Sequence, residues 1–171
     1  MRIVNLCWGD QVSPEFATKV IELSDRLGID PNWLMACMKF ESDLRATTVN
    51  KTSGATGLIQ FMPDTARSLG TSVEELRGLF DTEQLVYVEA YLQNRGKLTS
   101  LEDVYMAILW PVAIGKPNDY VLCRDTDPGF GGKAYLQNKG LDLNKDGQIT
   151  KWEATIPVRA LYTRGFDHSS T

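Results

Sequence analysis

The stretch KFESDLRATTVNKTSGATGLIQFMPDTA, residues 39 to 66, decides how this chain is read. A helical apolar stripe runs into a carboxylate, Glu41, and then into a loop rich in Thr, Ser and Gly. Upstream, Leu34, Cys37, Met38 and Glu41 fall at i, i+3, i+4 and i+7 on one helix face, whereas Asn32, Lys39 and Asp43 point elsewhere. The acid therefore continues the core stripe. Burial and the negative end of the helix dipole both disfavour its charged form, so its pKa is expected to rise towards roughly 6, as a general acid requires. Spacing alone is also met by a solvated Glu at the rim of the core.

Outward from this stretch the chain is punctuated as a series of helices. Ser13, Pro14 and Glu15 form a helix start, Phe16, Val20, Leu23 and Leu27 recur at helical spacing, and Gly28 closes the segment. Asp30 and Pro31 open a second helix running through Trp33 to about Ser42. Residues 43 to 60 read as loop, with room for a short hairpin. Pro63 begins a short helix ending at Gly70, Ser72 caps another ending near Gly78, and Asp81 to Gly96 is longer, with apolar Leu85, Val88 and Leu92. Ser100 with Asp103 resembles a capping box opening an apolar helix towards Leu109, where Trp110 and Pro111 disturb it. Lys116 to Gly132 reads as loop, Lys133 to Asn138 as a short helix, and a final helix is one that Pro157 should kink or interrupt. A mainly α fold is expected.

At 171 residues the chain has the size of one domain, so 1–171 is taken as a single unit. A net charge of −4 argues against nucleic acid as partner, because a phosphate backbone attracts a basic footprint. No run of about 20 apolar residues could span a bilayer, so no stable membrane insertion is expected. The N-terminus MRIVNLCWGDQV lacks the longer apolar segment of a secretory signal. Cys7, Cys37 and Cys123 are odd in number and far apart, which fits buried thiols in a reducing compartment better than a disulfide framework.

E-S-D-L at 41 to 44, followed by G-A-T-G-L-I-Q-F-M-P-D-T-A from Gly54 to Ala66, resembles the signature of soluble lytic transglycosylases and goose-type lysozymes. The close match covers residues 39 to 69. The resemblance implies a lysozyme-like domain with a catalytic core at about 10–115 and Glu41 as its indispensable acid. In that family the Glu protonates the oxygen between N-acetylmuramic acid and N-acetylglucosamine, the substrate's acetamido group stabilises the cation, and the Glu then takes the proton from the C6 hydroxyl. A 1,6-anhydromuramoyl end results, whereas a hydrolytic member would leave a reducing end. No second carboxylate is needed, unlike the paired-acid scheme. Ser42 and Gln60 match positions that line the family's site, as partners of Glu41 or of sugar, with Gln60 bonding the loop backbone as the alternative. Asp64 reads as a helix-start residue.

The family's later Tyr-Asn-Ala-Gly has no counterpart here, where the comparable stretch reads D-V-Y-M-A-I-L-W-P-V-A-I-G. Tyr105 supplying the phenol and Trp110 acting as a sugar platform stand beside the alternative that both are core aromatics.

D-L-N-K-D-G-Q-I-T-K-W-E, Asp142 to Glu153, fits the twelve-residue EF-hand calcium loop. Asp142, Asn144 and Asp146 supply side-chain oxygens, Gly147 allows the turn, Gln148 offers its carbonyl, Thr150 acts through water, and Glu153 can chelate with both oxygens. With one such loop, residues 142–153 are expected to hold a structural Ca2+ in a C-terminal extension, and no organic cofactor is indicated. His168 reads as part of a solvated tail.

The expected function is cleavage of peptidoglycan glycan strands by a monomer. The resemblance and the unmarked N-terminus suggest a phage protein made in the host cytoplasm without a signal peptide, reaching the cell wall after holin-type release or virion delivery. An exported bacterial toxin would look similar. The rivals are a peptidoglycan-binding module that has lost turnover, and a calcium sensor.

Overall fold

The computed structural model describes residues 5–169. Residues 1–4, where the stretch read for a leader begins, and 170–171 of the polar tail lie outside the described residues. The elements are α1 (Pro14–Leu27), α2 (Pro31–Ser42), α3 (Pro63–Ser68), α4 (Val73–Arg77), α5 (Asp81–Gln93), α6 (Leu101–Leu109), β1 (Val121–Arg124), α7 (Phe130–Gln137), β2 (Gln148–Thr150) and α8 (Lys151–Gly165). The helix starts follow their caps. Ser13 Oγ accepts from the Phe16 amide at 3.1 Å and Asp30 Oδ1 from that of Asn32 at 2.8 Å.

Leu34, Met35, Ala36, Cys37 and Met38 are all fully buried, so α2 is apolar on nearly every side and needs neighbours all round. It has them: α1, α6 and α8 pack on it, with α8 the largest contact, while α1 also packs on α5. Buried apolar residues from Leu6 to Val158 form one cluster. Cys7, Cys37 and Cys123 are buried and unpaired. No helix among the described residues is long and apolar enough to cross a membrane.

Four expectations change. The segment from 116 to 132 is not all loop: β1 pairs antiparallel with β2, Val121 opposite Thr150 and Cys123 opposite Ile149. The partner strand is far off in sequence, where local periodicity gives no sign of it. Helix α7 starts at Phe130 rather than Lys133, because the Gly131–Gly132 pair lets its first turn press onto the preceding loop. A Cβ at 132 would lie 2.3 Å from the Asp127 carbonyl oxygen. Of the kink or interruption expected at Pro157, the interruption does not occur: α8 runs through it. The packing of α8 along α2 and α6 outweighs the roughly 3 kcal/mol cost of an interior proline. His168 is not a free tail residue: its ring stacks on Trp8 at 4.6 Å and its Nδ1 lies 3.1 Å from Asp10 Oδ2.

The expected capping box at Ser100 is half formed. Ser100 Oγ accepts from the Asp103 amide at 3.1 Å, but Asp103 turns its own carboxylate elsewhere. Its Oδ1 accepts from the Gly115 amide at 2.9 Å and from Lys151 Nζ at 2.7 Å, and its Oδ2 from Thr99. Lys151 Nζ also donates to the carbonyls of Ala113 and Lys116, and both charged side chains are at most 5% exposed. This buried pair ties α6, the turn after it and the start of α8 into one joint.

Candidate active site

Glu41 lies in the last turn of α2, which ends when Asp43 and then Leu44 take left-handed φ of 55° and 61°. The chain thereby turns sharply into the loop beneath the site. That loop is stitched to itself: Thr56 and Phe61 exchange both backbone hydrogen bonds, at 3.0 and 2.9 Å, and the Gly57 amide donates to the Thr48 carbonyl at 2.8 Å. Ser42, buried, donates its hydroxyl to the carbonyls of Met38 and Leu58 at 3.0 and 2.9 Å. It binds helix to loop, not to Glu41.

The loop is also held from below by Gln84, a fully buried amide on α5 that the sequence reading missed. Its Oε1 accepts from the Leu58 amide at 3.0 Å, and its Nε2 donates to the carbonyls of Ala46 and Leu76 at 2.8 and 2.9 Å. Gly57, at φ 86°, lies so close that a Cβ there would fall 2.4 Å from Gln84 Oε1. The available signal was positional: Gln84, Val88 and Tyr91 share one helix face, so a polar residue stands in an apolar stripe.

Two adjoining depressions of ≈490 and ≈500 Å³ share Glu41, Leu109, Gln137 and Asn138. One brings Glu41 together with Gln60 and Trp110, the other with Tyr105. Gln60, at φ 55°, donates from Nε2 to the carbonyls of Thr48 and Gly57, each at 3.1 Å, so its amide nitrogen serves the loop backbone. Tyr105 is a buried wall residue, edge-on to Phe40. Trp110 is half-buried, its ring 5.8 Å from that of Phe130. Asp64 is outside the groove and pairs with Arg67.

Among the described residues lining the groove, Glu41 is the one carboxylate. No ion pair among the described residues includes it, and burial alone pushes its pKa up to about 7. The Tyr105 phenol is pushed well above its ordinary value, by burial first and by Glu41 second, so it remains a neutral donor. The arrangement can give a proton near neutrality and take one back.

Beyond the groove, Asp142, Asp146 and Glu153 each place a carboxylate oxygen within 4.8 Å of the others. Glu153 Oε2 accepts from the Thr150 amide and hydroxyl at 3.0 and 2.9 Å, while its Oε1 is buried without a partner. Thr150 thus caps α8 instead of reaching into the loop, and Glu153 has one oxygen unengaged rather than two. Asn144 Oδ1 accepts from the Asp146 amide at 3.1 Å, and the Gln148 amide donates to Asp146 Oδ1 at 3.0 Å. Asp142 Oδ2 accepts from Tyr135 Oη at 2.6 Å and from the Gly147 amide at 3.0 Å. Converging hard oxygens, one of them buried and unpaired, with Gly147 at φ 84°, fit an oxygen-seeking divalent cation.

A family model described as Transglycosylase SLT domain matches residues 19–107, just over half of the chain. No curated protein and no solved structure matches.

Proposed function

The chain belongs to the transglycosylase SLT domain family, and from that premise we propose that it cleaves the β-1,4 bond between N-acetylmuramic acid and N-acetylglucosamine in peptidoglycan strands. In this reading the Glu41 carboxyl gives its proton to the bridging oxygen as the C1–O bond breaks. The neighbouring acetamido oxygen closes on C1 and holds the positive charge. The Glu41 carboxylate then removes the C6 hydroxyl proton as that oxygen attacks C1 and displaces the acetamido group. A 1,6-anhydro ring forms, and Glu41 ends protonated as it began.

The observation that carries the reading is a lone groove carboxylate with its pKa raised to about 7. A scheme using two protein carboxylates needs a second one some 5 to 10 Å away, and the described groove offers none. Substrate-assisted chemistry asks for one acid that is neutral at first and a base afterwards. Tyr105 and Trp110 line the site beside it, suited to a hydroxyl contact and to the apolar face of a sugar ring.

Digestion of purified peptidoglycan with products read by mass spectrometry tests this. Anhydromuramoyl ends are expected. Reducing ends would make the protein a hydrolase using the same acid, and intact glycan with protein still bound to the sacculi would leave a binding module.

The loop at 142–153 is proposed to hold Ca2+ through Asp142, Asn144, Asp146, the Gln148 carbonyl and Glu153, the orphaned Glu153 oxygen being the observation in favour. The ion would neutralise crowded carboxylates and pin the start of α8. Binding to the folded form alone adds about 2.7 kcal/mol at a hundredfold excess over Kd. Chelation is therefore expected to lower the melting temperature by several degrees, and readdition of calcium to restore it. An unchanged melting curve would refute the ion.

A further inference from the structure

Helix α7 faces two ways. Phe130, Ala134, Gln137 and Asn138, at i, i+4, i+7 and i+8, line the groove beside Glu41. Tyr135, on the helix flank and 5% exposed, reaches the loop instead, where its Oη donates to Asp142 Oδ2 at 2.6 Å. The helix thus stands between the acidic loop and the groove, and it lies wholly outside the matched stretch 19–107.

Alone, α7 is weak. It has eight residues, two glycines in its first turn and no side-chain cap at its N-terminus. Its position therefore depends on its packing against β1 and on what holds Tyr135. Asp142 is one of three carboxylates crowded within 4.8 Å, which repel one another unless a cation lies between them.

We propose that α7 is a calcium-set wall of the glycan groove and that Tyr135 is the positioning residue connecting the two, an inference that rests on the reading of both sites given above. The wall carries the groups that would recognise an N-acetylated sugar. Phe130, 77% exposed, extends the apolar surface begun by Trp110, and the Gln137 side-chain amide is of a kind to pair with an N-acetyl group, as is Asn138 Oδ1, the Asn138 Nδ2 being engaged by the Ala134 carbonyl at 2.9 Å. With calcium bound, Asp142 stays in place and Tyr135 holds the wall against the groove. Without it, the loop spreads, the Tyr135 bond is lost and the wall loosens while Glu41 keeps its place on α2. Calcium accordingly governs affinity for glycan, not the proton transfer.

The test uses the Glu41→Gln protein, which binds without cutting, and measures pelleting on purified sacculi with saturating calcium and with chelator, alongside calorimetric calcium titration. Calcium is expected to tighten sacculus binding by about tenfold or more. Adding Tyr135→Phe should leave a calcium heat but remove most of that gain. Gln137→Ala, an exposed change that threatens no fold, should weaken binding only when calcium is present. Equal sacculus binding with and without calcium, while calorimetry shows the ion bound, would overturn the coupling alone. Absence of any calcium heat would overturn it too. Failure of wild type to cut, together with failure of the Glu41→Gln protein to pellet in either condition, would instead refute the underlying reading of the groove.

Discussion

Glu41→Gln is expected to abolish glycan cleavage, by at least about 10²-fold and up to about 10⁴-fold, while making the protein more stable above neutral pH. The amide keeps the shape of the carboxylic acid but has no proton to give at the bridging oxygen and cannot act as base afterwards. The stability gain follows from the same burial. The folded pKa of about 7 lies above the ordinary 4.5, so the stability linked to the neutral acid is fully present below 4.5 and is lost as pH rises through 7. At about pH 8 the wild type must hold a desolvated carboxylate, at a cost on the order of 1–3 kcal/mol, and the Gln variant is spared it. The melting temperature of the variant should exceed that of wild type at about pH 8, with no gap near pH 4. The cleavage rate of wild type should correspondingly fall as pH rises past 7. A variant that still cuts, or one whose stability tracks wild type at every pH, would remove Glu41 from the role.

Asp103→Ala is expected to cost about 3–5 kcal/mol, a large share of the 5–15 kcal/mol that holds a domain of this kind together. The loss leaves Lys151 Nζ buried with two carbonyls and no counter-charge, and it orphans the amide of Gly115. Lys151→Met should cost less, because Asp103 keeps the Gly115 and Thr99 donors. Burial pushes Asp103 up, but the bonds from Lys151, Gly115 and Thr99 outweigh it and hold the carboxyl below its ordinary value. The contribution is therefore present above the ordinary carboxylate range and lost only as pH falls through the lowered pKa. Urea denaturation of the single and double variants would measure it. Losses near zero for Asp103→Ala would show the joint to be dispensable.

What could be read from the chain was what repeats locally. The Ser13 and Asp30 caps, the stripe through Leu34, Cys37 and Met38, and the switch to Thr, Ser and Gly after Ser42 are neighbours in sequence, so helical period and punctuation carried α1, α2 and the placing of Glu41 on the core stripe. The parts that escaped are joined over long separations. Gln84 reaches back to Ala46, and Lys151 reaches Asp103. Strand β1 has its partner beyond α7, and the groove side of α7 is defined only by what it faces. Of the two polar residues expected beside the acid, Gln60 takes the loop-backbone alternative through its Nε2, whereas the Ser42 hydroxyl is engaged by the Met38 and Leu58 carbonyls, a choice that spacing does not encode.

The contact of α2 with α8 bears on how the chain is made. The helix that carries Glu41 in its last turn emerges long before its largest neighbour, at residues 151–165, and the Trp8 amide closes onto Gly165 at 2.9 Å. Until α8 has left the ribosome, Leu34 to Met38 have no complete cover. Folding must then wait for contacts of high sequence separation, which makes it slow. A nascent or truncated chain ending before α8 would display that apolar helix to chaperones and to other chains, where it would be prone to aggregate rather than to cut.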